Sequence, residues 1–302
     1  MTLPHFDLAN RAAYRAWRAR KLAQYPRAAD ELVVEVADPF RLTRAEREAL
    51  LVRCARANMA IYATACPPAR AKDALRALAA QLGLHTLDPN YLADDDGISP
   101  LAVAAGEMRG DFIPYTDRAI RWHTDGYYNP PEKTIRAMVL HCVERAASGG
   151  ENRLLDHELA YIALRDADPA YVRALMQPDA MTIPARAAEG EIARADQSGP
   201  VFSFGPDGRL HMRYTARTRS IVWKDDPNVA AATALLATVL ETDPHVLRVR
   251  LGPGMGIVCN NVLHDRAAFT DAAAQRRLVL RARYYEAITA ADTRSPRAAA
   301  AA

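Results

Sequence analysis

Apolar residues recur at helical spacing in the first third of the chain. Residues 8–25 have helical composition, and 42–58 (LTRAEREALLVRCARAN) repeats apolar side chains every third or fourth position. Thr43 is placed to cap the second stretch, with Glu46 three residues on to complete a capping box. A strand-like run, MAIYATA at 59–65, is halted by Pro67 and Pro68, after which 69–82 reads as a third helix. From about residue 110 the pattern shortens to strand-like runs at 136–143, 201–204, 210–214, 246–251, 255–259 and 278–285, with helical patterns at 157–165, 169–176 and 229–240.

Short strands separated by Gly, Pro and Asp predict a mainly β protein, a sandwich or barrel, with a helical flank over 1–90. With no internal repeat and no linker, residues 1–290 are expected to form one domain, its β core over 110–286, with 291–302 as a frayed tail.

Composition changes this picture little. No stretch approaches the roughly 20 consecutive apolar residues of a membrane-spanning helix, and the N-terminus lacks the pattern of a secretory signal. The expected location is the cytoplasm, without membrane association. Thirty-nine basic against 36 acidic residues leave a formal charge of +3, too dispersed to favour nucleic acid as partner. Cys54, Cys66, Cys142 and Cys259 include no close pair, which fits neither a disulfide framework nor a cysteine zinc site. There is no Gly-x-Ser-x-Gly elbow, phosphate-cradling loop or dinucleotide fingerprint.

Candidate chemistry lies in RWHTDGYYNPP at 121–131. In an extended segment residues i and i+2 share a side, so His123 and Asp125 can offer an imidazole and a carboxylate to one metal ion. With eight histidines and 36 acidic residues, such a pair alone arises by chance. His264, far along the chain in CNNVLHDRAAF, could complete the 2-His-1-carboxylate set of non-haem Fe(II) oxygenases. In QRRLVLRARYY, alternation puts Arg277, Val279, Arg281, Arg283 and Tyr285 on one face and Arg276, Leu278 and Leu280 on the other.

Three blocks, IPYTDRAIRWHTDGYYNPP at 113–131, SGGEN at 148–152 and NNVLHDRAAFTDAAAQRRLVLRARYY at 260–285, make the chain resemble the TauD/TfdA family of Fe(II)- and 2-oxoglutarate-dependent dioxygenases. The resemblance implies a double-stranded β-helix (jelly roll, clavaminate synthase-like fold) holding Fe(II) on His123, Asp125 and His264, with 2-oxoglutarate and O2 as co-substrates. By the family pattern Arg277 would take the distal carboxylate of 2-oxoglutarate and Arg281 would serve the co-substrate or a substrate anion. Asn152 stands after the Gly149–Gly150–Glu151 turn, where many members have Thr, and could support the same carboxylate through its amide. Arg281, Arg283, Tyr127, Arg213, Tyr214 and Asn261 are the candidate substrate residues, with Arg217 and Arg219 at the same mouth. The implied activity couples decarboxylation of 2-oxoglutarate, to succinate and CO2, with oxidation, chiefly hydroxylation, of a C–H bond in a small anionic or zwitterionic molecule. A homo-oligomer is compatible with this reading. The alternatives are a non-catalytic jelly-roll binding protein, or a structural zinc site on the same three ligands.

Overall fold

A computed structural model describes residues 2–89, 94–104, 110, 112–188, 191–217 and 221–289. Arg219 and the expected tail at 291–302 lie outside them. In chain order the first third forms α1 (Arg11–Gln24), β1 (Val33–Val36), α2 (Arg44–Ala57), β2 (Met59–Thr64), α3 (Ala71–Gln81) and β3 (Ser99–Leu101). The middle holds β4 (Ile120–His123), β5 (Ala137–Glu144), β6 (Ser148–Gly149), β7 (Asn152–Leu155), α4 (His157–Ala167) and α5 (Pro169–Leu175). Short strands follow: β8 (Met181–Ile183), β9 (Arg186–Ala188), β10 (Glu191–Arg194), β11 (Gln197–Gly199), β12 (Phe202–Phe204), β13 (Leu210–Met212) and β14 (Val222–Trp223). The chain ends with α6 (Pro227–Thr242), β15 (Leu247–Val249), β16 (Met255–Cys259), β17 (Leu263–Arg266), β18 (Phe269–Thr270) and β19 (Leu278–Tyr284).

The local signals act as expected at α2. Thr43 accepts from the Glu46 amide while the Glu46 side chain returns to the Thr43 backbone, and Asn58 closes the helix in the left-handed region at φ 55°.

The expected mainly β jelly roll is not what the chain forms. The fold is mixed α/β with several separate sheets, and no strand pairing among the described residues closes them into a barrel. One sheet has six strands in the order β1-β2-β16-β5-β19-β3, and another has four in the order β15-β7-β17-β4. Nor is the N-terminal third only a helical flank. It supplies β1, β2 and β3 to the large sheet, β1 lying parallel to β2 with Val33 opposite Ile61. A parallel pair requires a crossover, and α2 makes it.

Alternation along the large sheet divides its side chains between two cores. Val139, Val258, Leu280 and Ala282 pack with Leu50, Leu75 and Leu78 of α2 and α3. Met138, Leu140, Ile257 and Val279 belong to a second core with Leu154, Leu247 and Leu263 of the four-stranded sheet. Both faces of β19 are therefore covered, and its arginines can share a face only by entering the interior.

Candidate metal centre

β4 and β17 are antiparallel, and His123 stands directly opposite His264. Their ring centroids are 4.2 Å apart. Asp125, two residues beyond His123, completes a cluster whose ligand atoms all lie within 4.8 Å of one another. All three residues are buried, at 8%, 5% and 5% exposure for His123, Asp125 and His264. Gly126 then turns the chain at φ 67°, where a Cβ would stand 2.4 Å from Cγ1 of Ile135.

Hydrogen bonding fixes how the imidazoles can act. His123 Nδ1 lies 2.9 Å from the Arg121 carbonyl and His264 Nδ1 2.9 Å from the Val262 carbonyl. A carbonyl only accepts, so each Nδ1 carries the hydrogen and donates it, leaving each neutral ring's Nε2 lone pair for a metal. Burial, reinforced by the neighbouring His264, lowers the pKa of His123 to about 3, so at neutral pH it offers that lone pair. Burial alone would raise the Asp125 carboxyl, but the Arg281 and Arg283 guanidinium groups outweigh it and hold the group well below the usual carboxylate range. Its Oδ2 is buried without a hydrogen-bond partner. An ionised, buried oxygen left unpaired beside two imidazole lone pairs fits a divalent cation.

The other candidate residues fall into distinct places. Arg277 is 6% exposed, whereas Arg276 is exposed, as alternation requires. The Arg277 backbone N–H donates to Asp271, but its Nη1 has no partner, and the guanidinium carbon lies 5.1 Å from the Phe269 ring centroid. Asn152 lines the same small cavity, yet its Nδ2 already donates to the Asp265 carbonyl at 2.7 Å. Arg281 pairs with the ligand itself, its Nη1 being 3.1 Å from Asp125 Oδ1, while its Nε is unpartnered.

Arg283 is not the free inward cation that the sequence invites. Asp88 neutralises it, Tyr128 Oη accepts from its Nη1 at 2.8 Å, and Tyr285 donates to Asp88 at 2.7 Å. Arg213 also has its hydrogen bonds filled, by the backbone carbonyls of Tyr127, Met181, Gly199 and Gln197. Asn261 is 1% exposed and bonded to the backbone around Asp125, so it presents nothing to a substrate. Tyr127 stands edge-on to His123 with centroids 6.5 Å apart. Tyr214 pairs through its backbone with Thr124 and lines the opposite side of the sheet. Arg217 is exposed.

Sequence reasoning missed two residues. Asp88 lies in no motif, and Arg266 follows His264 by two positions. Arg266 is buried, donates to the carbonyls of Pro114, Thr116 and Arg118, leaves Nε unpartnered, and lies 4.9 Å from the Phe269 ring on which Arg277 also rests. The His264-x-Arg266 spacing is the signal that could have found it. A cavity of about 890 Å³ lies behind the sheet, lined by Trp122, Arg153, Asp265 and α6. None of the three ligand residues lines it, so its size is no guide to the chemistry.

Two imidazoles and a carboxylate converge in a buried pocket, a donor set that could hold one metal ion and that has the composition of the 2-His-1-carboxylate sites of non-haem iron oxygenases. The sequence model of the taurine catabolism dioxygenase TauD, TfdA family matches residues 19–283, and the chain belongs to that family. It is therefore an Fe(II)- and 2-oxoglutarate-dependent dioxygenase. A uridine-5'-phosphate dioxygenase of a Streptomyces species is 33% identical over 198 residues, 62% of this chain and 69% of that protein. A taurine dioxygenase from Burkholderia xenovorans shares the fold at 17% identity and a TM-score of 0.56, covering 86% of this chain and 90% of its own. A non-haem iron oxygenase solved with Fe and alpha-ketoglutaric acid does so at 15% identity and 0.59, covering 82% and 81%.

Proposed function

We propose that the enzyme oxidises a small dianionic molecule, a nucleoside phosphate monoester being the first candidate, and that His123, Asp125 and His264 hold the iron while Arg277 holds the distal carboxylate of 2-oxoglutarate. When bound, Fe(II) would activate O2, the oxidant, with 2-oxoglutarate supplying two of the four electrons and the C–H bond of the substrate the other two. The chain's own residues bind, orient and exclude water: two neutral imidazoles and one carboxylate leave positions open for small ligands, and Arg277 can meet a carboxylate with two parallel N–H groups.

The observation that carries the substrate class is charge. Arg266, Arg277, Arg281 and Arg283 are buried around the centre, and the buried carboxylates paired with them are Asp125 on Arg281 and Asp88 on Arg283, while the buried Asp265 is taken up by Arg153. Fe(II) and 2-oxoglutarate cancel each other, so two positive charges remain. Buried charge without a counter-charge is costly, and a dianion bound near the iron would balance it. The relative that acts on uridine-5'-phosphate, by its name, handles such a dianion.

The test is 2-oxoglutarate turnover coupled to substrate oxidation across nucleoside monophosphates, the corresponding nucleosides, sulfonates and amino acids. A phosphate monoester should be oxidised at least tenfold faster than its neutral nucleoside. Equal rates for the two would overturn the proposal.

A further inference from the structure

We infer that Asn261 is a positioning residue for the iron: its side-chain amide, rather than a strand ladder, fixes the backbone of the carboxylate ligand Asp125. The inference rests on the assignment of His123, Asp125 and His264 as the metal ligands.

Asp125 lies just outside regular structure. β4 ends at His123, Thr124 is tied to Tyr214 by N–H···O and by its own hydroxyl, and Gly126 turns the chain away. The Asp125 backbone N–H and C=O therefore have no strand neighbour, although both are buried and must be satisfied. Asn261 satisfies both. Its Oδ1 accepts from the Asp125 N–H at 2.7 Å, its Nδ2 donates to the Asp125 carbonyl at 2.9 Å, and the second Nδ2 hydrogen goes to the Ile135 carbonyl at 2.8 Å. One carboxamide pairs with Asp125 as a facing peptide would.

The residue type follows from this duty. Asn261 has φ 51°, a left-handed conformation that asparagine tolerates better than most non-glycine residues. Aspartate would keep the acceptor and lose both donors, while glutamine would add a methylene and overreach. Asn260 has a separate task, bonding Asn58 and Ile288. Because Asn261 stands three residues before His264, the spacing between the carboxylate and imidazole ligands is set through one side chain. A displaced carboxylate changes both affinity and coordination geometry, and loss of an outer-shell partner of a metal ligand typically costs 10–100-fold in metal affinity.

The test compares wild type with Asn261→Gly, which accepts the left-handed backbone but lacks the amide, and with Asn261→Asp. Anaerobic titration with Co(II), a coloured substitute for Fe(II), gives affinity, and the visible ligand-field spectrum at saturation reports coordination geometry. Both variants should bind Co(II) about 10- to 100-fold more weakly and show shifted saturated spectra, with far-ultraviolet circular dichroism confirming the fold. If Asn261→Gly does not fold, Asn261→Asp, which keeps the bond to the Asp125 N–H, decides. Affinity within twofold of wild type, or weakened affinity with an unchanged saturated spectrum, would overturn the inference by reducing Asn261 to a structural role. A wild-type protein that binds no Co(II) would instead defeat the assignment of the metal ligands.

Discussion

His123 and His264 show how far a single residue's chemistry is set by its immediate backbone. Each ring is steered by a carbonyl two residues earlier in its own sequence, so the free nitrogen of both follows from local geometry. The His-x-Asp spacing and the distal histidine are legible in the sequence because they stand in blocks that resemble the family, whereas the ring orientations are visible only in the structure. The partners of the arginines are not legible, because Asp88 reaches Arg283 across 195 residues and belongs to no motif. Asn261 stays open in the sequence for a related reason: an amide beside that histidine could orient the site or touch substrate, and only the fold shows that Asp125 and the Ile135 carbonyl take up its hydrogen bonds. At this scale Arg277 gives a direct prediction. Loss of a two-pronged, charge-assisted contact should cost roughly 2 to 5 kcal/mol, or about 30-fold to several-thousandfold in affinity. Titration of 2-oxoglutarate into the iron-loaded protein should show that loss for Arg277→Ala and little change for the exposed Arg276→Ala. Equal losses would mean that the unpartnered guanidinium is not the carboxylate site.

Among the elements, those with strong local punctuation were readable, and those defined by their neighbours were not. The capping box of α2 and the proline break after β2 are written in a few residues, whereas β1 is only VVEV and becomes a strand because β2 lies beside it. The expected jelly roll failed on the same point, since whether sheets close depends on pairings that no strand's own pattern records. The docking of α1 is likewise non-local. Its Lys21 is 6% exposed and lies 2.6 Å from Asp156, the buried cap of α4, and 2.5 Å from Glu158. Burial would lower the Lys21 pKa, but the two carboxylates outweigh it and raise it. Removing one member of a buried ion pair leaves the rest uncompensated and costs about 3–5 kcal/mol. Urea denaturation of Lys21→Met should therefore show a loss of that size, while a change under 1 kcal/mol would show that this ion pair does not hold α1 in place.

For the whole molecule, buried neutral histidines tie stability to pH. His141, 2% exposed and 3.0 Å from the Tyr62 hydroxyl, has its pKa lowered by burial to about 4. The unfolded chain takes up a proton there near pH 6.5, while the folded protein resists until about 4. Stability should thus fall as the pH drops from 7 towards 4, with His141 accounting for about 3 kcal/mol of the loss at the lower limit. In metal-free protein His141→Gln should flatten the dependence of unfolding free energy on pH, and an unchanged slope would contradict it.

We propose that His123, Asp125 and His264 together form the iron site of this 2-oxoglutarate-dependent oxygenase. The most direct measurement is succinate formed from 2-oxoglutarate after oxygen is admitted to protein equilibrated with Fe(II), in wild type and in His123→Ala, Asp125→Ala and His264→Ala. Wild type should produce succinate, with each variant falling to the level of iron without protein while keeping its circular dichroism. Succinate at the wild-type rate in His264→Ala would contradict iron binding by these three residues.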